Sequence, residues 1–146
     1  MRCSEIMTPS PVYCLPTYSA YQVALLMRSE DVGSIPVVKN RQDRRLTGIV
    51  TDRDLALKVV AEGRDAYDTL VEDVKSMDII TCEADDDLDE VLKLMERYQL
   101  RRIPVVDSNY QLIGIISQAD VATRIGEPEK TAEVVSEISR AAGAAP

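Results

Sequence analysis

Histidine, tryptophan and phenylalanine are all missing from this 146-residue chain, and its only aromatic residues are six tyrosines. Without imidazole no Ser-His or Cys-His nucleophile pair can be built, and a zinc site loses its usual nitrogen ligand. Without Trp or Phe the core has to be aliphatic. Cysteine is scarce too: Cys3, Cys14 and Cys82 form no CxxC pair, and an odd count argues against a disulfide framework. No apolar run is long enough to cross a bilayer, and the opening Met-Arg-Cys-Ser-Glu has no signal-peptide core. A cytoplasmic location with no membrane partner is therefore expected. Basic residues are outnumbered, 17 Lys and Arg against 25 Asp and Glu, for a formal charge of −8. That excess repels a polyphosphate backbone, so no nucleic-acid partner is expected. GxxxxGK[ST] and GxGxxG are absent, which removes the usual signatures of P-loop hydrolysis and Rossmann dinucleotide binding. The acidic run Glu83–Glu90 fits an EF-hand poorly, because Glu90 stands where that loop needs glycine. Negative charge at a helix start is ordinary dipole compensation. No catalytic residue, metal site or catalytic cofactor emerges, and the chain reads as a non-enzyme.

What the chain does contain is a repeat. Slid by 68 residues it meets itself without a gap: Ser19–Met27 falls on Asp87–Met95, Cys14 on Cys82, Val12 on Ile80 and Ile35 on Ile103. Ile-Pro-Val-Val occurs at Ile35–Val38 and at Ile103–Val106, after which the shift drops to 66 at Gly48 and Gly114. Each copy opens on an extended segment, Val12–Leu15 or Ile79–Glu83. A helix follows, capped by Ser19 or Asp87, with Gln22 or Glu90 three residues on to close a capping box. Its apolar face is Ala20, Val23, Ala24 and Met27 in one copy and Leu88, Val91, Leu92 and Met95 in the other, the spacing of one helix face. Two β-branched runs separated by turn formers come next, and a second helix stops near Gly63 or Gly126. The order is β-α-β-β-α, twice, in an α+β fold. The layout expected is repeat one over residues 1–64, a polar linker over 65–78, repeat two over 79–126 and a helical tail over 127–146. One copy alone would bury little apolar surface, so the two are expected to pack as one pseudo-twofold module.

An amphipathic helix before Ile-Pro-Val-Val, then Gly-Ile-Val-Thr-Asp-Arg-Asp or Gly-Ile-Ile-Ser-Gln-Ala-Asp, resembles the CBS domain. Two copies in tandem resemble a CBS pair, or Bateman module, of the kind found in stand-alone bacterial CBS-domain proteins. The resemblance runs from about Cys3 to Gly126. It implies a regulatory module that binds an adenosine-containing ligand in clefts between the repeats. AMP, ADP or ATP comes first, with NAD or S-adenosylmethionine as alternatives. It also implies a homodimer that signals to a further protein partner. The alternative within the same fold is a dimerisation or interaction scaffold that binds no ligand.

The residue types at the junction make chemical sense of such a ligand. Thr51 and Ser117 sit where a strand ends and a helix begins. A helix start aims backbone N–H groups and the positive end of its dipole at one spot, which suits an anion. Three residues on, Asp54 and Asp120 offer carboxylates able to accept two hydrogen bonds from a ribose diol. Helix capping accounts for the hydroxyls equally well, but the aspartate, present twice, reads as a sign of something more. The CBS resemblance implies shared sites. Site A would join Ile49, Thr51, Asp52, Arg53 and Asp54 to Ile80, Arg101 and Arg102 of the other repeat. Site B would join Ile115, Ser117, Gln118 and Asp120 to Val12, Val32, Gly33 and Ser34. Guanidinium groups clamp phosphate, so site A is expected to bind the nucleotide more tightly. Cys14 and Cys82 read as small core hydrophobes, with a redox role as the alternative.

Overall fold

The computed structural model describes residues 1–124, and the tail expected over 127–146 lies outside the described residues. In chain order the elements are β1 (Thr8–Pro9), α1 (Ala20–Glu30), β2 (Ser34–Val38), β3 (Leu46–Thr51), α2 (Asp52–Leu55), α3 (Val71–Val74), β4 (Cys82–Glu83), α4 (Leu88–Tyr98), β5 (Arg102–Val106), β6 (Leu112–Ser117) and α5 (Gln118–Arg124). They fall into two compact units: Val12–Ile79, here the repeat-one unit, and Met1–Pro11 with the described residues from Ile80 on, the repeat-two unit. Among the described residues no helix is long and apolar enough to cross a membrane.

In the repeat-one unit, α1 begins with the expected capping box. Ser19 Oγ accepts from Gln22 N at 3.1 Å, and Gln22 Oε1 accepts from Ser19 N at 2.8 Å. The helix buries Ala20, Val23 and Met27, but Ala24 is exposed, so the buried stripe is narrower than the sequence pattern. The helix stops at Asp31, whose φ of 53° lies in the left-handed region that Asp tolerates. β2 and β3 pair antiparallel, Ser34 opposite Thr51 and Val37 opposite Gly48, with a register shift before Val38. Asn40 builds their turn by accepting from Gln42 N at 3.0 Å and Asp43 N at 2.7 Å. β3 runs straight into α2, which continues as a π-helical stretch, Ala56–Val60. The stretch expected as a linker is folded into this unit. α3 buries Val71 and Val74 completely, and Ser76 bridges to Ile49 on β3. These two valines stand one helical turn apart in a polar context, which is why composition alone hid them. They join Cys14, Val23, Ile35, Val37, Val50 and Val59 in one core, where burial of each aliphatic side chain is worth about 1.5–3 kcal/mol.

The repeat-two unit follows the same plan. Its sheet has the order β1-β6-β5-β4, with Arg102 opposite Ser117, Val105 opposite Gly114 and the same register shift. β1 pairs with β6 as Ser76 pairs with β3, and β4 runs parallel to β5 as Cys14 does to Val37. The first eleven residues thus pack in the repeat-two unit, because Cys3 and Ile6 are buried in the cluster that α4 covers. α4 buries all four expected residues, Leu88, Val91, Leu92 and Met95. Its cap departs from expectation. Asp87 Oδ1 accepts from Asp89 N at 3.1 Å, while Glu90 pairs with Lys93 at 3.4 Å and closes no box. A second carboxylate reaching back to Asp87 would meet the first, and like charges repel.

Candidate functional site

At the end of β3, Thr51 closes a strand and caps a helix at once. Its Oγ1 accepts from Asp54 N at 3.0 Å, and Asp54 Oδ2 accepts from Thr51 N at 2.9 Å. The aspartate that occurs twice therefore has a structural task, as the reciprocal half of a capping box. That corrects the reading in which capping accounts for the hydroxyl alone. The neighbouring donors are occupied as well: Asp52 N donates to the Gly33 carbonyl at 2.8 Å, and Arg53 N to Asp52 Oδ1 at 2.8 Å. The helix start expected to hold an anion with its N–H groups is thus answered by the protein's own oxygens. The second oxygen of Asp54, Oδ1, pairs with Lys58 Nζ at 3.1 Å, and Lys58 also donates to the Val74 carbonyl at 3.0 Å. Gly33 lies close to Asp52: a Cβ there would meet Asp52 Oδ2 at 2.9 Å, and that exposed carboxylate would have to shift.

The repeat-two junction keeps the box and changes what surrounds it. Ser117 N donates to Asp120 Oδ2 at 3.0 Å, and Asp120 N to Ser117 Oγ at 3.2 Å. Asp120 Oδ1 accepts from a neutral group, the Thr8 hydroxyl, at 3.0 Å. Gln118 N donates to the Arg101 carbonyl at 3.1 Å, and Arg102 lies directly opposite Ser117 in the sheet. Both arginines therefore adjoin this helix start, Arg101 exposed and Arg102 half-buried. Neither guanidinium has an ion pair among the described residues. Gln118 replaces Asp52, so Ala119 N lacks the carboxylate that Asp52 gives to Arg53. The Gln118 side-chain nitrogen is buried without a hydrogen-bond partner among the described residues, a condition that costs about 1–3 kcal/mol.

A family model described as CBS domain matches residues 3–61 and again 71–127. The chain belongs to the CBS-domain family. Among its relatives, an uncharacterized protein of Methanopyrus kandleri is 40% identical over 106 residues. That match takes in 73% of this chain and 53% of the relative, so the chain spans about half of that protein's length. The CBS domain-containing protein YhcV of Bacillus subtilis is 34% identical over 135 residues, 92% of this chain and 93% of that one. The crystal structure of CBSX2 in complex with AMP superposes with a TM-score of 0.70 at 25% identity, covering 83% of this chain and 93% of that chain.

The matched CBS segments start at residues 3 and 71, so each repeat includes a leading segment that packs in the other repeat's unit. Within the repeat-one unit, Ile49, Thr51, Asp52, Arg53 and Asp54 lie beside Val32, Gly33 and Ser34, since Ser34 faces Thr51 and Gly33 bonds Asp52. Within the repeat-two unit, Ile115, Ser117, Gln118 and Asp120 lie beside Arg101 and Arg102. Val12 and Ile80 stand two residues ahead of Cys14 and Cys82, Val12 exposed and Ile80 half-buried. Two residues that complete the junctions were not among those read from the sequence. Lys58 carried a signal, as a cation four residues after an acid. Thr8 carried one too: the 68-residue shift extends back to pair Cys3 with Val71, Ile6 with Val74 and Thr8 with Ser76.

Proposed function

We propose that this CBS protein is a regulatory module that binds an adenine nucleotide of the AMP, ADP or ATP type, acts in the cytoplasm as a homodimer, and catalyses nothing itself. The observation that carries this reading is the pair Arg101–Arg102 beside the repeat-two helix start, without ion pairs among the described residues. Two guanidinium forks offer bidentate contacts to phosphate, and each charged hydrogen bond is worth about 1.5–3 kcal/mol. The buried side-chain nitrogen of Gln118, without a hydrogen-bond partner among the described residues, adds a donor at the same junction. A ribose diol finds its acceptor in the carboxylate of a Thr/Ser-x-x-Asp junction, and Ile49 with Val32, or Ile115, supplies apolar surface for a base. The AMP complex of CBSX2 supports the ligand class.

A melting and calorimetry panel of AMP, ADP, ATP, NAD and S-adenosylmethionine tests this. One adenine nucleotide is expected to bind saturably and, at a hundredfold excess over its Kd, to stabilise the protein by about 2.7 kcal/mol. If none of the five shifts the melting curve or gives heat, the reading fails. The second reading, a dimerisation scaffold that binds no ligand, then stands. It draws support from the repeat-one junction, whose donors at Thr51, Asp52, Arg53 and Asp54 are answered by the protein itself.

A further inference from the structure

Cys3 and Cys82 lie far apart in sequence yet share one buried cluster with Ile6, Leu88, Val91 and Met95. They are 0% and 3% exposed, and both are free thiols. Two backbone hydrogen bonds hold their segments side by side, Ser4 N to the Ala84 carbonyl at 2.9 Å and Cys3 N to the Asp86 carbonyl at 3.0 Å. Between these segments the two thiols interact; that contact draws the Cys3 thiol below its ordinary value, while the same contact and burial push Cys82 up. Packing alone does not call for two sulfurs here. The equivalent positions of the repeat-one unit hold Val71 and Cys14, both fully buried.

We propose that Cys3 and Cys82 form a redox couple that closes to a disulfide and staples residues 1–11 to the rest of the repeat-two unit. The oxidant is a hydroperoxide. Cys3 gives up its proton and attacks the O–O bond as thiolate; it becomes a sulfenic acid, and the other oxygen leaves as hydroxide, which takes up the proton that Cys3 released and becomes water. The Cys82 sulfur then attacks the Cys3 sulfur, the S–S bond forms, the S–O bond breaks, and the departing hydroxide takes the Cys82 proton. Two thiols and one hydrogen peroxide give one disulfide and two waters. A small thiol reverses the step by exchange. The oxidant reaches Cys3 by local opening of the short turn Cys3–Glu5, in which Ser4 and the preceding Arg2 are exposed. The stapled segment carries Thr8, the partner of Asp120, so oxidation fixes that hydroxyl on the junction carboxylate.

The test uses the full chain, reduced, desalted and exposed to hydrogen peroxide, followed by non-reducing peptide mapping and melting. The expected result is loss of two hydrogens, a linked Cys3–Cys82 peptide, an intact Cys14 thiol and a melting temperature several degrees higher, all reversed by dithiothreitol. Cys14→Ser keeps the link and the shift. Cys3→Val, which installs the residue found at the equivalent position, is expected to fold like the reduced protein and to lose both. Intact thiols at Cys3 and Cys82 after peroxide, sulfinic acid at either, or a link between two chains overturns the proposal. So does a melting shift that survives Cys3→Val.

Discussion

In the repeat-one unit the helix start after β3 closes on itself. Asp52 and Asp54 answer its N–H groups, and Lys58 answers Asp54. In the repeat-two unit the same backbone carries Gln118 and Ala119 in place of Asp52 and Arg53, a neutral hydroxyl on Asp120, and two arginines where the other copy has Gly33 and Ser34. The difference teaches that a spacing present twice marks a shared local structure, here the capping box. What each copy offers a ligand lies in the residues the two copies do not share.

The sharpest way to break this comparison is to remove the arginines. Arg101→Ala with Arg102→Ala is expected to weaken AMP binding by on the order of ten- to a hundredfold per lost charged contact. Arg53→Ala should weaken it far less, because Arg53 sits at the self-satisfied junction between two carboxylates. Both variants should melt within about 0.5 kcal/mol of the parent, since these changes lie on or near the surface. Calorimetry on the two variants decides the matter. A larger loss from Arg53→Ala would reverse the assignment of the anion-accepting junction.

The next effect concerns the lone thiol of the repeat-one unit. Burial pushes Cys14 from its ordinary 9.0 up to about 12. In that window the unfolded chain gives up its proton while the folded chain keeps it, so stability falls as pH rises. The slope is up to about 1.4 kcal/mol per pH unit between roughly pH 9 and 12. Cys14→Val should flatten the alkaline limb of a urea-midpoint series by that amount and leave the curve below pH 8 parallel to the parent. An unchanged alkaline slope would show that Cys14 does not hold its proton in the folded unit.

Much of this architecture was legible because it is local. The four buried positions of α4 and the Ser19–Gln22 box follow from helical period and cap chemistry, and Asn40 announced the β2–β3 turn. What stayed hidden is non-local. That Thr8–Pro9 pairs with β6 and that Val71 and Val74 enter the repeat-one core depend on partners distant in sequence. At the junctions the Thr/Ser-x-x-Asp spacing that suggests a ligand is also the spacing of a capping box, and both copies form that box. The atoms of Thr51 and Asp54 that would meet a ligand are the same atoms that satisfy the helix. Sequence spacing alone does not tell these two uses apart.

The smallest expected effect separates the two carboxylates by the kind of partner each has. Lys58 and Asp54 form an i,i+4 ion pair at 3.1 Å, with 42% and 14% of their side chains exposed. Lys58→Met keeps the apolar stem and removes both the charge and the bond to the Val74 carbonyl; the ion-pair part, with the lysine partly exposed, is worth about 0.2–1 kcal/mol. At 1 M salt the screening length is about 3 Å, so most of that ion-pair part should vanish. Thr8→Val removes a neutral donor from Asp120, and its cost should change little with salt. Urea midpoints for the two variants at low and high salt check both halves at once. If the Thr8→Val cost is the one that salt erases, the charges of the two junctions have been assigned the wrong way round.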